Sequence, residues 1–366
     1  MKLKITGFAN GGYGVGSIEG KIVFVENALP NETVEIEIIQ EKKGFIKATA
    51  TKILEPSEYR VEPKCPHYLT CGGCDLQHAK YEYQLKLKQE AFLSTLKRIG
   101  KIELNETPKI VPSKKQWYYR RRVDFKCRNG KWGFYKRSTN QFTPINECTI
   151  ADKKINEFIK SNRCFGDTRV QIDDYGNINT DEMMLNLGLE QPLFYKRDAF
   201  TQINKETNLK IVQDLLNEVS AVQPSNILEL FCGIGNFTIP LAKNGYKVYA
   251  VELDLSAISS LKRNVNNFGL KNVSIIRRNL SEPFKIKGGF DLVVLDPPRE
   301  GAKEVARWLL KKNVKHVIYI SCDVATLSRD LNIVKDRYTI EKVKLYDMFP
   351  QTHHVESMTV LKLNKD

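Results

Sequence analysis

Three cysteines crowd into ten residues of this chain: Cys65, Cys71 and Cys74, spaced C-x5-C-x2-C. Gly72 and Gly73 let the backbone curl, so that the flanking thiolates face one centre. Three thiolates at this spacing need a fourth ligand, and Cys148 is the candidate. Zinc and an iron–sulfur cluster both take four cysteines, and spacing does not choose between them. His67 and His78 offer an alternative completion of a zinc site. Either group would staple a loop-rich segment. The other cysteines, Cys127, Cys164, Cys232 and Cys322, are dispersed. In a cytoplasmic protein a count of eight cysteines does not imply disulfides.

A second set of reactive residues lies beyond residue 200. Segment 229–237, ELFCGIGNF, ends a strand and opens a helix. Its glycines allow the backbone to approach a ligand closely. Glu252 ends the next strand, where a carboxylate accepts the ribose hydroxyls of a nucleoside. The loop lacks the three-glycine dinucleotide fingerprint, so the pocket need not accommodate a pyrophosphate. That fits S-adenosylmethionine. Asp296 (in Asp296-Pro297-Pro298-Arg299) and Cys322 come after apolar runs and should sit at strand tips facing the same crevice. Segment 347–356, DMFPQTHHVE, ends on Glu356, a candidate general base.

The elements that must position these residues change along the chain. Strand-like runs at 21–26, 33–39 and 45–53 among Gly-rich turns indicate a small β-barrel over residues 1–60. Residues 81–100 carry apolar side chains at helical spacing, and 110–198 are mixed and turn-rich. From 200 onward strands alternate with helices: strands near 227–230, 248–252, 273–276, 290–295 and 317–321, helices near 205–219, 255–268 and 304–311. That alternation predicts a doubly wound, mostly parallel α/β sheet, a Rossmann-like domain. Three units are therefore expected: 1–60, a mixed central domain at 61–199, and 200–366.

The chain of 366 residues carries a net charge of +14. The charge is uneven. Residues 1–60 balance 8 Lys and Arg against 8 Asp and Glu, whereas 61–150 hold 18 against 8. A basic segment of that size suits a phosphate-bearing partner. Within it Lys114, Lys115, Arg120, Arg121, Arg122, Lys126 and Arg128 interleave with Trp117, Tyr118 and Tyr119, a pattern suited to holding and stacking RNA. Hydrophobic residues at 42% exclude wholesale disorder. No apolar run is long enough to span a membrane, and no secretory leader is evident, so a cytoplasmic address and no membrane partner are expected.

Together these segments resemble the RNA uracil-5-methyltransferase family, in its branch with an N-terminal TRAM domain and a four-iron, four-sulfur cluster. The likeness covers nearly the whole chain. It rests on Ala28-Leu29-Pro30-Asn31-Glu32, the run from Cys65 to His78, Phe200-Thr201-Gln202-Ile203-Asn204 and Phe231-Cys232-Gly233. It continues through Leu295-Asp296-Pro297-Pro298-Arg299-Glu300-Gly301, Tyr319-Ile320-Ser321-Cys322 and 347–356. The resemblance implies an OB-like TRAM unit at 1–60 and a [4Fe-4S] cluster on Cys65, Cys71, Cys74 and Cys148. It also implies a return of about 82–115 to the catalytic domain. Cys322 matches the family nucleophile and Glu356 the base. Gln202 and Asp296 match positions touching the uracil edge or the donor. Phe231, Gly233 and Glu252 match donor-binding positions, as does Asn279, where Asp is usual.

The chemistry explains these residue types. Uracil C5 is a poor nucleophile toward a sulfonium methyl. A thiolate adding at C6 converts the ring to an enolate, which then attacks. The base must leave its RNA stack to reach such a pocket. Two further departures stand out: Glu229 where Asp is usual, and Asp323-Val324 where Asn-Pro is usual. A carboxylate beside the nucleophile disfavours its thiolate if close. The expected partner is structured RNA, ribosomal in preference to transfer RNA, bound by a monomer, with no DNA. A non-catalytic RNA-binding factor is the alternative from another class. Cytosine-5 methylation is disfavoured, because the Pro-Cys context usual for it is absent.

Overall fold

The computed structural model describes residues 1–364. Its first 55 residues form six strands: Lys2–Lys4, Gly7–Ala9, Tyr13–Ile18, Lys21–Glu26, Thr33–Glu41 and Phe45–Glu55. Spatially they run first, fifth, sixth, fourth, third, second. Inward residues alternate along them, so Ile5, Val23, Val25, Val34, Ile36 and Ala48 share one core. The sheet curls until its first strand meets its third. A Cβ at Gly16 would lie 2.7 Å from the Lys4 carbonyl, and one at Gly14 2.8 Å from that of Ala28. These two glycines therefore belong to a strand, not to turns as the sequence suggested.

Helix Tyr81–Thr95, extended by a wider turn at Leu96–Gly100, joins this unit to the rest. Tyr83, Leu87 and Ala91 pack against Phe8 and Leu29 of the curled sheet. Phe92 and Leu96 pack instead into the core under the large sheet, beside Leu228, Val293 and Leu327. Lys88 is fully buried and makes an ion pair with Asp347 at 2.5 Å. Desolvating two charges is tolerable only because Tyr81 and the Phe349 carbonyl complete their hydrogen bonds.

A four-stranded sheet comes next, in the order Phe142–Pro144, Lys131–Tyr135, Arg122–Arg128, Thr168–Gln171. Helix Lys153–Ser161 covers it, with Ile155 and Ile159 against Phe125 and Trp132. The cysteine count alone implied no disulfide, but here Cys127 and Cys164 are joined in one, with Cα atoms 5.8 Å apart. They lie 37 residues apart in sequence, and only the packed core brings them together.

The large sheet has eight strands: Val273–Arg277, Lys247–Glu252, Asn226–Leu230, Leu292–Leu295, His316–Ser321, Glu356–Leu363, Tyr338–Tyr346 and Lys109–Val111. The first five are parallel, and Glu356–Leu363 runs antiparallel between His316–Ser321 and Tyr338–Tyr346. Lys109–Val111 adds a parallel strand at the far edge. A hairpin of Glu182–Leu185 and Leu193–Lys196 packs Met183, Leu193 and Tyr195 into the same core as Leu215 and Ile227. Among the described residues no helix is long and apolar enough to cross a membrane.

Candidate active site and four-cysteine cavity

Strand direction assembles the crevice. Asn226–Leu230, Lys247–Glu252, Leu292–Leu295 and His316–Ser321 are parallel, so their C-terminal ends all lie at one edge of the sheet. That edge receives Phe231–Gly235, Glu252, Asp296 and Cys322. Strand order reverses between the first and third of these, the usual place for a ligand crevice. Glu356 arrives by the opposite route. Its strand is antiparallel, so its first residue lies at the same edge, and Ser357 pairs with Ser321 beside Cys322.

The glycine loop is conformationally demanding. Phe231, Gly233 and Gly235 all have positive φ, at 61°, 56° and 97°. A Cβ at Gly235 would lie 2.7 Å from Leu261, whereas Gly233 faces open space. Glu252 accepts from the backbone N–H groups of Gly233 (2.9 Å), Leu253 (2.7 Å) and Asp254 (2.9 Å). A carboxylate has about four acceptor sites, so about one remains for a ribose hydroxyl. Receiving both hydroxyls requires giving up a loop contact. Asn279 uses its Oδ1 to accept from Ser281 N–H at 3.0 Å, leaving its amide N–H groups without a protein partner. Glu229 is buried and accepts from the Thr238 hydroxyl at 2.6 Å; its Oε1 has no partner. Burial pushes this carboxyl up to about 8.

Around Cys322 the field is acidic. Burial, then Glu356 and Asp296, push the Cys322 thiol up to about 12, with Arg299 opposing. Glu356 is buried, and burial with the nearby Asp296 holds its carboxyl well above the usual range. Asp296 is raised as well by burial, against a hydrogen bond from Gln202 Nε2 at 3.1 Å. Asp323 contributes least to Cys322 among these groups. Its carboxylate turns away to cap helix Val324–Val334, accepting from Thr326 N–H at 2.8 Å. The departure from Asn thus retains a good cap.

Cys65, Cys71, Cys74 and Cys148 line one cavity of about 280 Å³ with Tyr68, Val123, Phe134, Ile145 and Ile150. Gly72 is pressed against strand Lys131–Tyr135: an added Cβ would lie 2.8 Å from the Tyr135 carbonyl. Close approach, not chain curling, requires this glycine. Burial pushes Cys71 up to about 12 and raises Cys74 and Cys148. Among the described residues no three His, Cys, Asp or Glu side chains are close enough to hold one metal ion. His67 lines the cavity, but His78 does not: it is buried with its Nδ1 2.5 Å from the Tyr68 hydroxyl.

The basic stretch is only partly free. Tyr119 is buried and donates to the Pro350 carbonyl at 2.9 Å. Arg121 pairs with Asp174 and the Lys126 and Arg128 side chains with Asp167. Arg120 faces the four-cysteine cavity, and Arg122 stacks over the exposed Phe200 ring at 4.7 Å. Lys114 and Lys115 remain exposed. Carboxylates distant in sequence pair with three of the cations, and Trp117 and Tyr118 stay partly exposed.

An open sheet with a glycine loop and the strand-end carboxylate Glu252 at its switch point is the build of an S-adenosylmethionine-dependent methyltransferase. A solved tRNA (uracil-54, C5)-methyltransferase of Pyrococcus abyssi, in complex with S-adenosyl-L-homocysteine, has the same fold. Its TM-score is 0.75 at 23% identity, over 98% of this chain and 100% of that one. The family described as tRNA (Uracil-5-)-methyltransferase matches residues 177–364, and the TRAM domain matches residues 1–51. An uncharacterized RNA methyltransferase of Aquifex aeolicus is 33% identical over 99% of this chain and 98% of its own. The 23S rRNA (uracil(1939)-C(5))-methyltransferase RlmD of Shewanella sp. strain MR-7 is 32% identical over 97% and 94%. This chain belongs to the RNA uracil-5-methyltransferase family, and it is an enzyme of that class with an N-terminal TRAM domain.

Proposed function

We propose that the protein methylates C5 of a uracil in structured RNA of the large ribosomal subunit, with Cys322 adding to C6 of the ring. The observation that carries this reading is the pairing of Ser321 with Ser357. It brings the thiol of Cys322 and the carboxyl of Glu356 to one crevice beside Asp296. Cys322, a partly exposed thiol at rest, becomes a nucleophile on releasing its proton to solvent. Once C5 carries the methyl, the ionised form of Glu356 takes the C5 proton, its raised proton affinity making it a strong acceptor, and the thiolate leaves. Gln202 and Asp296 touch the uracil edge or the donor. Bound S-adenosylmethionine would supply the electrophilic methyl. Phe231, Gly233, Glu252 and Asn279 are the residues that would hold it, and the open space at Gly233 supports that cradle.

The choice of ribosomal over transfer RNA rests on the RlmD relatives, which match nearly the whole chain. In the same reading residues 1–60 hold RNA, 61–199 carry the cluster and 200–366 do the chemistry, in a cytoplasmic monomer. Cys65, Cys71, Cys74 and Cys148 would hold a [4Fe-4S] cluster. Four soft thiols around one apolar-walled cavity support this.

Nucleoside mass spectrometry of ribosomal and transfer RNA, from cells with and without the protein, tests the reading. Loss of one 5-methyluridine from large-subunit RNA is expected. Loss from transfer RNA overturns the substrate, and no loss overturns the activity.

A further inference from the structure

We propose that Asp75 is a positioning residue for the base: through His353 it ties the four-cysteine loop to the segment that carries Glu356. The proposal rests on reading Glu356 as the base that removes the C5 proton. Asp75 comes directly after Cys74. Its Oδ2 accepts from the His353 backbone N–H at 3.2 Å and lies 2.6 Å from Nδ1 of the same residue. The backbone N–H groups of Asp75 and Leu76 both donate to the Gln351 carbonyl, at 3.1 and 3.0 Å. One short stretch therefore grips the catalytic segment at two points.

Asp75 is itself held from two other parts of the molecule. Arg137 Nη1 donates to its Oδ1 at 2.7 Å, and Nη2 of the same arginine reaches the Gly11 carbonyl of the curled sheet at 2.6 Å. A Cβ at Gly12 would lie 2.7 Å from the Asp75 Cβ, so that turn is in contact with it too. Its side chain is 8% exposed.

Glu356 needs such support. It is buried, and its Oε1 has no hydrogen-bond partner. With that oxygen unheld, its aim depends on the backbone, which is paired with Tyr346 on one side and follows three residues after His353. Cys322 follows strand His316–Ser321 and makes no described hydrogen bond to Asp75 or His353. Loosening the grip should spare addition of the thiolate and methyl transfer, and slow the last step. In that step the C5–H bond breaks and the proton passes to the Glu356 carboxylate. The electron pair restores C5=C6, and the C6–S bond breaks with its pair leaving on sulfur.

The test uses the full chain with iron and sulfide assayed, RNA transcripts of ordinary uracil, and a methyl-labelled donor. Asp75→Ala and His353→Gln should lower kcat about 10- to 100-fold, since small misplacement of a reacting group costs that much. The KM for the donor should stay within about twofold, because the donor pocket is untouched. A denaturant-stable, methyl-labelled protein–RNA adduct should accumulate. Asp75→Asn, which keeps one acceptor, should recover part of the rate, and the Asp75→Ala/His353→Gln double variant should be no slower than either single one. Unchanged kcat in His353→Gln overturns the proposal. So does a fall in rate together with iron content and no adduct, which marks a merely structural contact. Glu356→Gln is the control: if it turns over normally, the base reading fails, whatever Asp75 does.

Discussion

Cys322 and Cys71 sit in different parts of the molecule, yet burial pushes both thiols up to about 12. Their surroundings differ. Cys71 has other cysteines beside it, Cys148 and Cys65, with Arg120 as the opposing cation. Cys322 has the carboxyls of Glu356 and Asp296, with Arg299 opposing. A wall of soft thiols is relieved by metal, which deprotonates them outright. A thiol among carboxyls is relieved by handing on its proton and forming a bond to carbon. In the proposed reading the same residue type, with the same elevated proton affinity, serves two chemistries that its neighbours select.

Removing one sulfur from each site is the strongest way to break that comparison. Cys322→Ala should lower methyl transfer at least about 10⁴-fold and abolish any covalent adduct with RNA. Donor binding by calorimetry should persist. Cys74→Ala should do the reverse, losing bound iron and lowering Tm by roughly 10 °C, because metal binding contributes folding energy. Retained methylation by Cys322→Ala would overturn the covalent route.

A pH series sharpens the contrast. Below its pKa a thiol's reactive fraction rises about tenfold per unit of pH. Alkylation of Cys322 and of Cys71, read out by peptide mass spectrometry, should therefore accelerate steeply from pH 7 to 9. Reconstitution with iron and sulfide should protect Cys71 and leave Cys322 reactive. Equal protection of both would erase the distinction.

The smallest effect concerns Glu229. Its folded carboxyl, at about 8, lies above the unfolded range, so the folded chain binds this proton more tightly. Stability is fully present below about pH 4.5 and falls as pH rises toward 8. Between pH 5 and 8 the Tm of the wild type should therefore drop more than that of Glu229→Gln, by roughly 3 °C. Parallel curves would mean that Glu229 stays charged when buried.

Much of the catalytic crevice was legible in the sequence. Asp296 and Cys322 come after apolar runs, and Glu252 ends a strand, because local pattern sets where a parallel strand stops. The cap at Asp323 was legible in principle: an Asp with a helix-forming run after it. Its worry as a neighbouring charge came from adjacency alone, without the side chain's direction. The hidden features depend on partners far away in the chain. Lys88 reads as a surface charge on a helix, yet it is buried against Asp347, 259 residues on. Asp75 and His353 are 278 apart, and the Cys127–Cys164 bond leaves no local trace. Periodicity reports which face of an element is buried, not which distant side chain meets it.

The short strand Lys109–Val111 carries one more consequence. It closes the edge of Tyr338–Tyr346, pairing Lys109 with Lys344, about 235 residues later. An uncovered edge strand is a template for pairing with another chain. A fragment beginning near residue 200 would leave that edge bare and would also lose Phe92 and Leu96 from beneath the sheet. Such a fragment should aggregate although its donor loop is intact. During synthesis the edge strand must also wait for nearly the whole remaining chain, and so remote a parallel pairing is slow to form. A slow pairing and the protection of the finished sheet therefore fall to the same three residues.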